Sequence, residues 1–106
     1  MATGRLGTFA LAAVTLTTVY TVPSNNYAVF NVSFTNTNTT AVTIRLAMAT
    51  SATPGASEYI EYDTTIIPKG VFERSGLVAN GNLVIVAYSN TSGVNVNVYG
   101  IETSTV

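Results

Sequence analysis

Ala28–Thr35 reads AVFNVSFT, and its alternation decides the fold class. Ala28, Phe30, Val32 and Phe34 fall on one face of an extended chain, and Val29, Asn31, Ser33 and Thr35 fall on the other. The same period of two returns in Val42–Met48, where Val42, Ile44, Leu46 and Met48 are expected to point inward and Thr43 and Arg45 outward. It returns again in Val94–Ile101, with Val94, Val96 and Val98 set against Asn95, Asn97 and Tyr99. Leu83–Tyr88, LVIVAY, is apolar on both faces and is predicted to be a central strand.

Working outward, the linking segments are rich in turn residues. NTNTT (Asn36–Thr40) and Asn90-Thr91-Ser92-Gly93 have hairpin length, and Asn80-Gly81 predicts a type I′ hairpin between Leu77-Val78 and Leu83-Val84. Pro68-Lys69-Gly70 is a turn before a strand over Val71–Leu77. Thr17–Val22 is a strand ended by Pro23, and Glu58–Tyr62 is a further short strand. Ser51–Ser57, SATPGAS, is a small-residue loop that leaves the main body. The expectation is one all-β domain over residues 1–106, an antiparallel β-sandwich of seven or eight short strands, jelly-roll-like or immunoglobulin-like. Residues 1–14 are expected to form either an N-terminal arm or the first strand, in preference to a secretory signal, because the apolar run after Arg5 ends at Val14 without a clean cleavage site.

Composition narrows the function. Thr occurs 18 times and Val 14 times, and both are β-branched. Only nine residues are charged, four basic and five acidic, and Cys, His and Trp are absent. Four scattered cations make no nucleic-acid footprint. Zinc and iron–sulfur ligands are missing, as are a thiol nucleophile and an imidazole base. Phe9–Val14, at six residues, is far below the roughly 20 that span a bilayer. No cofactor, nucleic acid or membrane partner is expected, nor is the chain expected to be an enzyme.

The remaining chemistry lies in a few clusters. Glu58, Glu61 and Asp63 form the densest charge; on a regular strand Glu61 and Asp63 share one face and Glu58 takes the other, so only two converge, short of a Ca²⁺ site. Glu61 and Asp63 also raise glycoside hydrolysis, which needs two carboxyl groups about 5–10 Å apart in a cleft that so small a sandwich hardly offers. A solvent-facing edge kept soluble by charge is the simpler reading. Tyr59, Tyr62, Tyr88 and Tyr99 are candidates for stacking on sugars, against the alternative that amphipathic tyrosines sit at a core boundary. Asn31, Asn38 and Asn90 open N-x-S/T sequons, as an Asn- and Thr-rich chain produces by chance. Glu73 and Arg74 are expected to face opposite ways, and Glu102 to meet Arg5, Arg45 or Arg74.

Five motifs in order carry a resemblance: GRLG (Gly4–Gly7), VYTVP (Val19–Pro23), EYIEYDT (Glu58–Thr64), GVFERSGL (Gly70–Leu77) and VYGIE (Val98–Glu102). Together they resemble small β-sandwich virion structural proteins of tailed bacteriophages, especially aquatic and cyanobacterial ones. The resemblance implies a place in the particle and no catalytic residues. The expected role is a capsid decoration or cement protein on the outside of the head. Its partners would be the major capsid protein and copies of itself, with a homotrimer the first expectation. A tail, baseplate or fibre component, including a receptor-binding tip, is the alternative, and a carbohydrate-binding module a further one. The candidate assembly contacts are Arg5, Leu6, Phe9 and Leu11, read as an arm laid on an adjacent subunit.

Overall fold

The computed structural model describes residues 3–106. It contains eight strands: β1 (Thr3–Leu11), β2 (Thr17–Thr21), β3 (Asn26–Asn36), β4 (Val42–Ala49), β5 (Tyr59–Ile66), β6 (Val71–Asn80), β7 (Val84–Ser89) and β8 (Val94–Ser104). One turn of 3₁₀ helix, Ala56–Glu58, precedes β5. The strands form two antiparallel sheets of four, ordered β1-β8-β3-β6 and β2-β7-β4-β5. The all-β sandwich expected from the alternation is therefore the fold.

The strand order selects between the two expected topologies. β1 pairs with β8, β2 with β7, β3 with β6 and β4 with β5, all antiparallel. These pairs are the rungs of one long hairpin ribbon whose tip is the β4–β5 loop. Successive rungs lie in alternate sheets, so the ribbon is wrapped around the core. This is the eight-stranded jelly roll.

That wrapping corrects the reading of the turns. Every link except β4–β5 crosses from one sheet to the other. Asn36–Thr40, Asn80-Gly81 and Asn90–Gly93 are arches, not hairpins. At Asn80–Leu83 the Leu83 amide donates to the Asn80 carbonyl, and positive φ falls on Asn82 alone (73°). That is the type II pattern rather than type I′. The one link that stays within a sheet is the longer segment containing SATPGAS, which joins β4 to its neighbour β5.

The core follows the alternation. Ala28, Phe30, Val32 and Phe34 of β3 are buried, as are Val94, Val96 and Val98 of β8 beside them. Val42, Ile44 and Leu46 of β4, with Ile85 and Ala87 of β7, complete the opposing layer, whereas Met48, expected inside, is only half-buried at its border. β7 is central in its sheet, and Val86, on its outward face, is buried too. Each fully buried aliphatic or aromatic side chain contributes about 1.5–3 kcal/mol. The folded chain exposes 5262 Å²; an unfolded chain of this mass exposes about 16,000 Å², so about two-thirds is buried.

Asn36 closes one end of the sandwich. It is fully buried, and its Nδ2 donates to the carbonyls of Thr40 (2.9 Å), Ile67 (3.0 Å) and Ile66 (3.3 Å). Its Oδ1 accepts from the Asn38 amide. One side chain thus ties the β3–β4 arch to the β5–β6 arch.

Candidate assembly surfaces

No pocket opens among the described residues, so candidate sites are flat surfaces built on the outer faces and rims of the sheets. On the outer face of the β2-β7-β4-β5 sheet the organising feature is a bulge in β5. Ile44 pairs with Thr64 and Leu46 with Glu61, so Tyr62 and Asp63 together oppose Arg45. Asp63 takes φ 54°, a left-handed conformation Asp tolerates. Arg45 donates from Nε to Asp63 Oδ1 at 2.7 Å. Its guanidinium carbon lies 4.1 Å from the Tyr62 ring centre and 4.5 Å from that of Tyr88, a cation–π sandwich. Tyr59 sets its ring edge-on to Tyr62 at 5.0 Å.

The same bulge breaks up the acidic cluster. Asp63 is turned outward to Arg45, while Glu61 stays on the inner side, paired with Arg74 and accepting from the Thr64 hydroxyl. The Arg74–Glu61 pair joins edge strand β6 of one sheet to edge strand β5 of the other. Glu58 accepts from the amides of Thr50 and Gly55 and fixes the β4–β5 loop. The three carboxylates hold three different structures, and among the described residues no three His, Cys, Asp or Glu groups are placed to share a metal.

The tyrosines are committed in a similar way. Tyr62 and Tyr88 each give a ring face to Arg45, and the Tyr99 hydroxyl donates to Glu73 across the β3 strand between them. The Glu73 bond raises the Tyr99 pKa above its ordinary value. Tyr20 reaches into the core, packs edge-on to Phe30 and donates to Glu102 at 2.5 Å. Burial first, and the Glu102 hydrogen bond second, raise the Tyr20 pKa well above that of a free tyrosine. Glu102 is thus a buried acceptor for Tyr20, and Arg45 and Arg74, two of its expected partners, are engaged elsewhere. The sequon asparagines are pins: Asn31 accepts from Gly76, Asn38 donates to Ser92 and Asn90 accepts from Thr43.

The residues read as an assembly arm lie in β1, which is an edge strand of its own sheet rather than an arm. It pairs with β8 from Thr3 to Leu11, with a bulge between Arg5 and Gly7; Met1 and Ala2 lie outside the described residues. Leu11 is core, and Leu6 packs against the core from the bulge. Phe9 is on the inner side of the rim and 42% exposed, and Arg5 points outward into solvent. Only Arg5 and Phe9 of the four remain open to a neighbour.

The outer face of the β1-β8-β3-β6 sheet is the broadest uncovered surface. Register sets its side chains in rows across the strands: Thr3–Ile101–Val29–Val78, then Arg5–Tyr99–Asn31, then Thr8–Asn97–Ser33–Glu73. Ile101, Val29 and Val78 are 47%, 38% and 59% exposed, and Tyr27 adjoins them in the next row at 38%. The alternation on β3 and β8 marked these residues as outward, but only the pairing showed that they line up.

No protein-family model matches the chain, and neither does a curated protein or a solved structure. The phage resemblance rests on the five motifs alone.

Proposed function

We propose that this chain is a structural protein of a tailed-phage particle, acting by assembly and without turnover, as a capsid decoration or cement subunit on the head surface. The observation that carries the proposal is the strand order. Wrapped eight-stranded jelly rolls recur in viral capsid and lectin domains and in cupins. A catalytic metal centre of the His or Cys type has no ligands in this chain. A lectin-like sugar platform is less favoured, because Tyr62 and Tyr88 each give a ring face to Arg45 and the Tyr99 hydroxyl is bonded to Glu73. What fits the capsid setting is a small rigid body with broad, nearly uncharged faces. The order of the five motifs along the chain is the second support.

The test is stoichiometry. Quantitative mass spectrometry of purified particles should find the chain in hundreds of copies, as a lattice-wide subunit requires. A count of about six to eighteen, the size of one or a few symmetric rings, would move it to the tail or baseplate.

A further inference from the structure

Among the described residues the outer face of the β1-β8-β3-β6 sheet carries two charges only, Arg5 on edge strand β1 and Glu73 on edge strand β6. Among the described residues Arg5 has no carboxylate partner, whereas Arg45 and Arg74 are paired and Lys69 donates to the Thr37 carbonyl. Between the two edges runs the apolar row Ile101–Val29–Val78, with Tyr27 beside it.

We propose that this face binds a second copy of the same chain, sheet to sheet, about a two-fold axis that lies in the contact plane and runs along the strands between β8 and β3. Such an axis lays β1 of one copy over β6 of the other and leaves each row in step with itself. Ile101 then sits over the partner copy's Val29 and the reverse, as an isologous contact demands. Thr3 sits over the opposite Val78. Arg5 comes within one row of the opposite Glu73, twice per dimer. An axis running across the strands would instead lay β1 over β1 and bring Arg5 towards its own copy, so the charges choose the first arrangement. Tyr99, drawn sideways by Glu73, lies along the face and leaves room for a second sheet about 10 Å away.

The extent is sufficient. Four strands about 4.8 Å apart and five outward rows about 6.8 Å apart cover about 650 Å². Standard interfaces bury about 600–1,000 Å² per partner, so the face falls at the lower end of that range. The two-fold differs from the threefold ring that the phage resemblance implies, and it does not depend on the virion reading.

The experiment uses the natural absence of cysteine. In Thr3→Cys/Val78→Cys the two thiols of one chain stand at opposite ends of a row, about 14 Å apart across three strand spacings, beyond the reach of a disulfide. In the dimer the two backbones face each other across about 10 Å, too far for a disulfide but within reach of a short bifunctional thiol reagent that cannot span the roughly 14 Å within one chain. That reagent should give a covalent dimer on a denaturing gel, and neither single variant should. Sedimentation of the unmodified chain should show a concentration-dependent dimer. Arg5→Glu and Glu73→Arg should each weaken it about tenfold, with the double reversal restoring it. Val78→Lys, at an exposed edge position, should also abolish it while the melting temperature holds. A monomer at every concentration, a trimer, or a dimer that neither cross-links nor responds to charge reversal would overturn the proposal. A monomer found in hundreds of copies per particle would overturn it and leave the virion reading standing. A cross-linking dimer absent from particles would do the opposite.

Discussion

Replacing Asn36 tests whether the two arches it joins hold the fold together. The side chain is fully buried and engages four backbone groups, with donor distances of 2.9, 3.0 and 3.3 Å and one acceptor distance of 2.9 Å. Two N–H donors serve three carbonyls, so one bond is shared, and at least three bonds count. Asn36→Ala removes them and leaves buried backbone groups to find other partners. At about 1 kcal/mol per lost bond, plus the cost of stranding a buried polar group, the loss is about 3–4 kcal/mol. For a domain of this size that is a fall in melting temperature of about 12–25 °C. Asn36→Asp is the sharper variant. It keeps the shape but turns a carboxylate oxygen towards three carbonyl oxygens, so it should be worse than alanine at neutral pH. The new carboxyl can donate only when protonated, which raises its folded-state pKa above the unfolded value of about 3.9. Its neutral form is therefore favoured in the fold, and the deficit should grow as pH rises from about 4. Urea unfolding followed by tyrosine fluorescence or far-UV dichroism at pH 3.5 and 7 measures both effects. A loss under 1 kcal/mol for Asn36→Ala, or an Asn36→Asp protein as stable as the parent at pH 7, would refute the assignment.

The remaining predictions are smaller in scope. Tyr20 is held protonated by burial and by Glu102, so unfolded chains release its proton near pH 10 while folded chains keep it. Stability should be complete below pH 10 and fall as pH climbs above it, and absorbance titration should show Tyr20 ionising only with unfolding. Gly100→Ala would place a Cβ 2.1 Å from the Val29 carbonyl oxygen and 2.6 Å from the Phe30 Cα, both backbone, so β8 and β3 must separate; expression should yield insoluble or unfolded protein, and a soluble variant with native dichroism would contradict the register. Deleting residues 1–11 removes edge strand β1 with the buried Leu11 and should lower stability by several kcal/mol, about 2–5 from Leu11 alone, in urea titrations. Arg45→Ala breaks a surface ion pair and two ring contacts, and should shift the urea midpoint far less than Asn36→Ala does.

The strands were legible because burial imposes a period of two; β3 and β8 obey it almost without exception, and β4 obeys it as far as Leu46 before Ala47–Ala49 break it. The links were misread for a physical reason. Turn residues report that the chain reverses, and they say nothing about which sheet receives the next strand. Asn36–Thr40 and Asn90–Gly93 have hairpin chemistry and hairpin length, yet both span the core. What marks them as arches is long-range: the Asn38 side chain bonded to the Ser92 carbonyl, and the Thr37 amide bonded to that of Gly93. Bulges are equally silent in sequence. Without the one at Tyr62-Asp63 the acidic cluster would keep Glu61 and Asp63 together, and Arg45 would have no clamp.

The nine charges acquire their meaning only in three dimensions. Read as composition, they mark a sparsely charged chain. In the fold, Arg45 and Asp63 clamp a bulge, Arg74 and Glu61 close an open edge, and Glu58 and Lys69 fix loops. Glu73 and Glu102 hold tyrosines. Eight of the nine are thus occupied within the chain, and Arg5 is the exception among the described residues. A surface whose charges are spent internally has little free charge to oppose association. Sparse charge therefore does more than fail to exclude contact between copies. Among the described residues it leaves the outer face of the β1-β8-β3-β6 sheet with one cation and one carboxylate on opposite edges, the minimum that can orient a two-fold pair. Moving that single cation, as Arg5→Glu does, should change the association and leave the fold as it is.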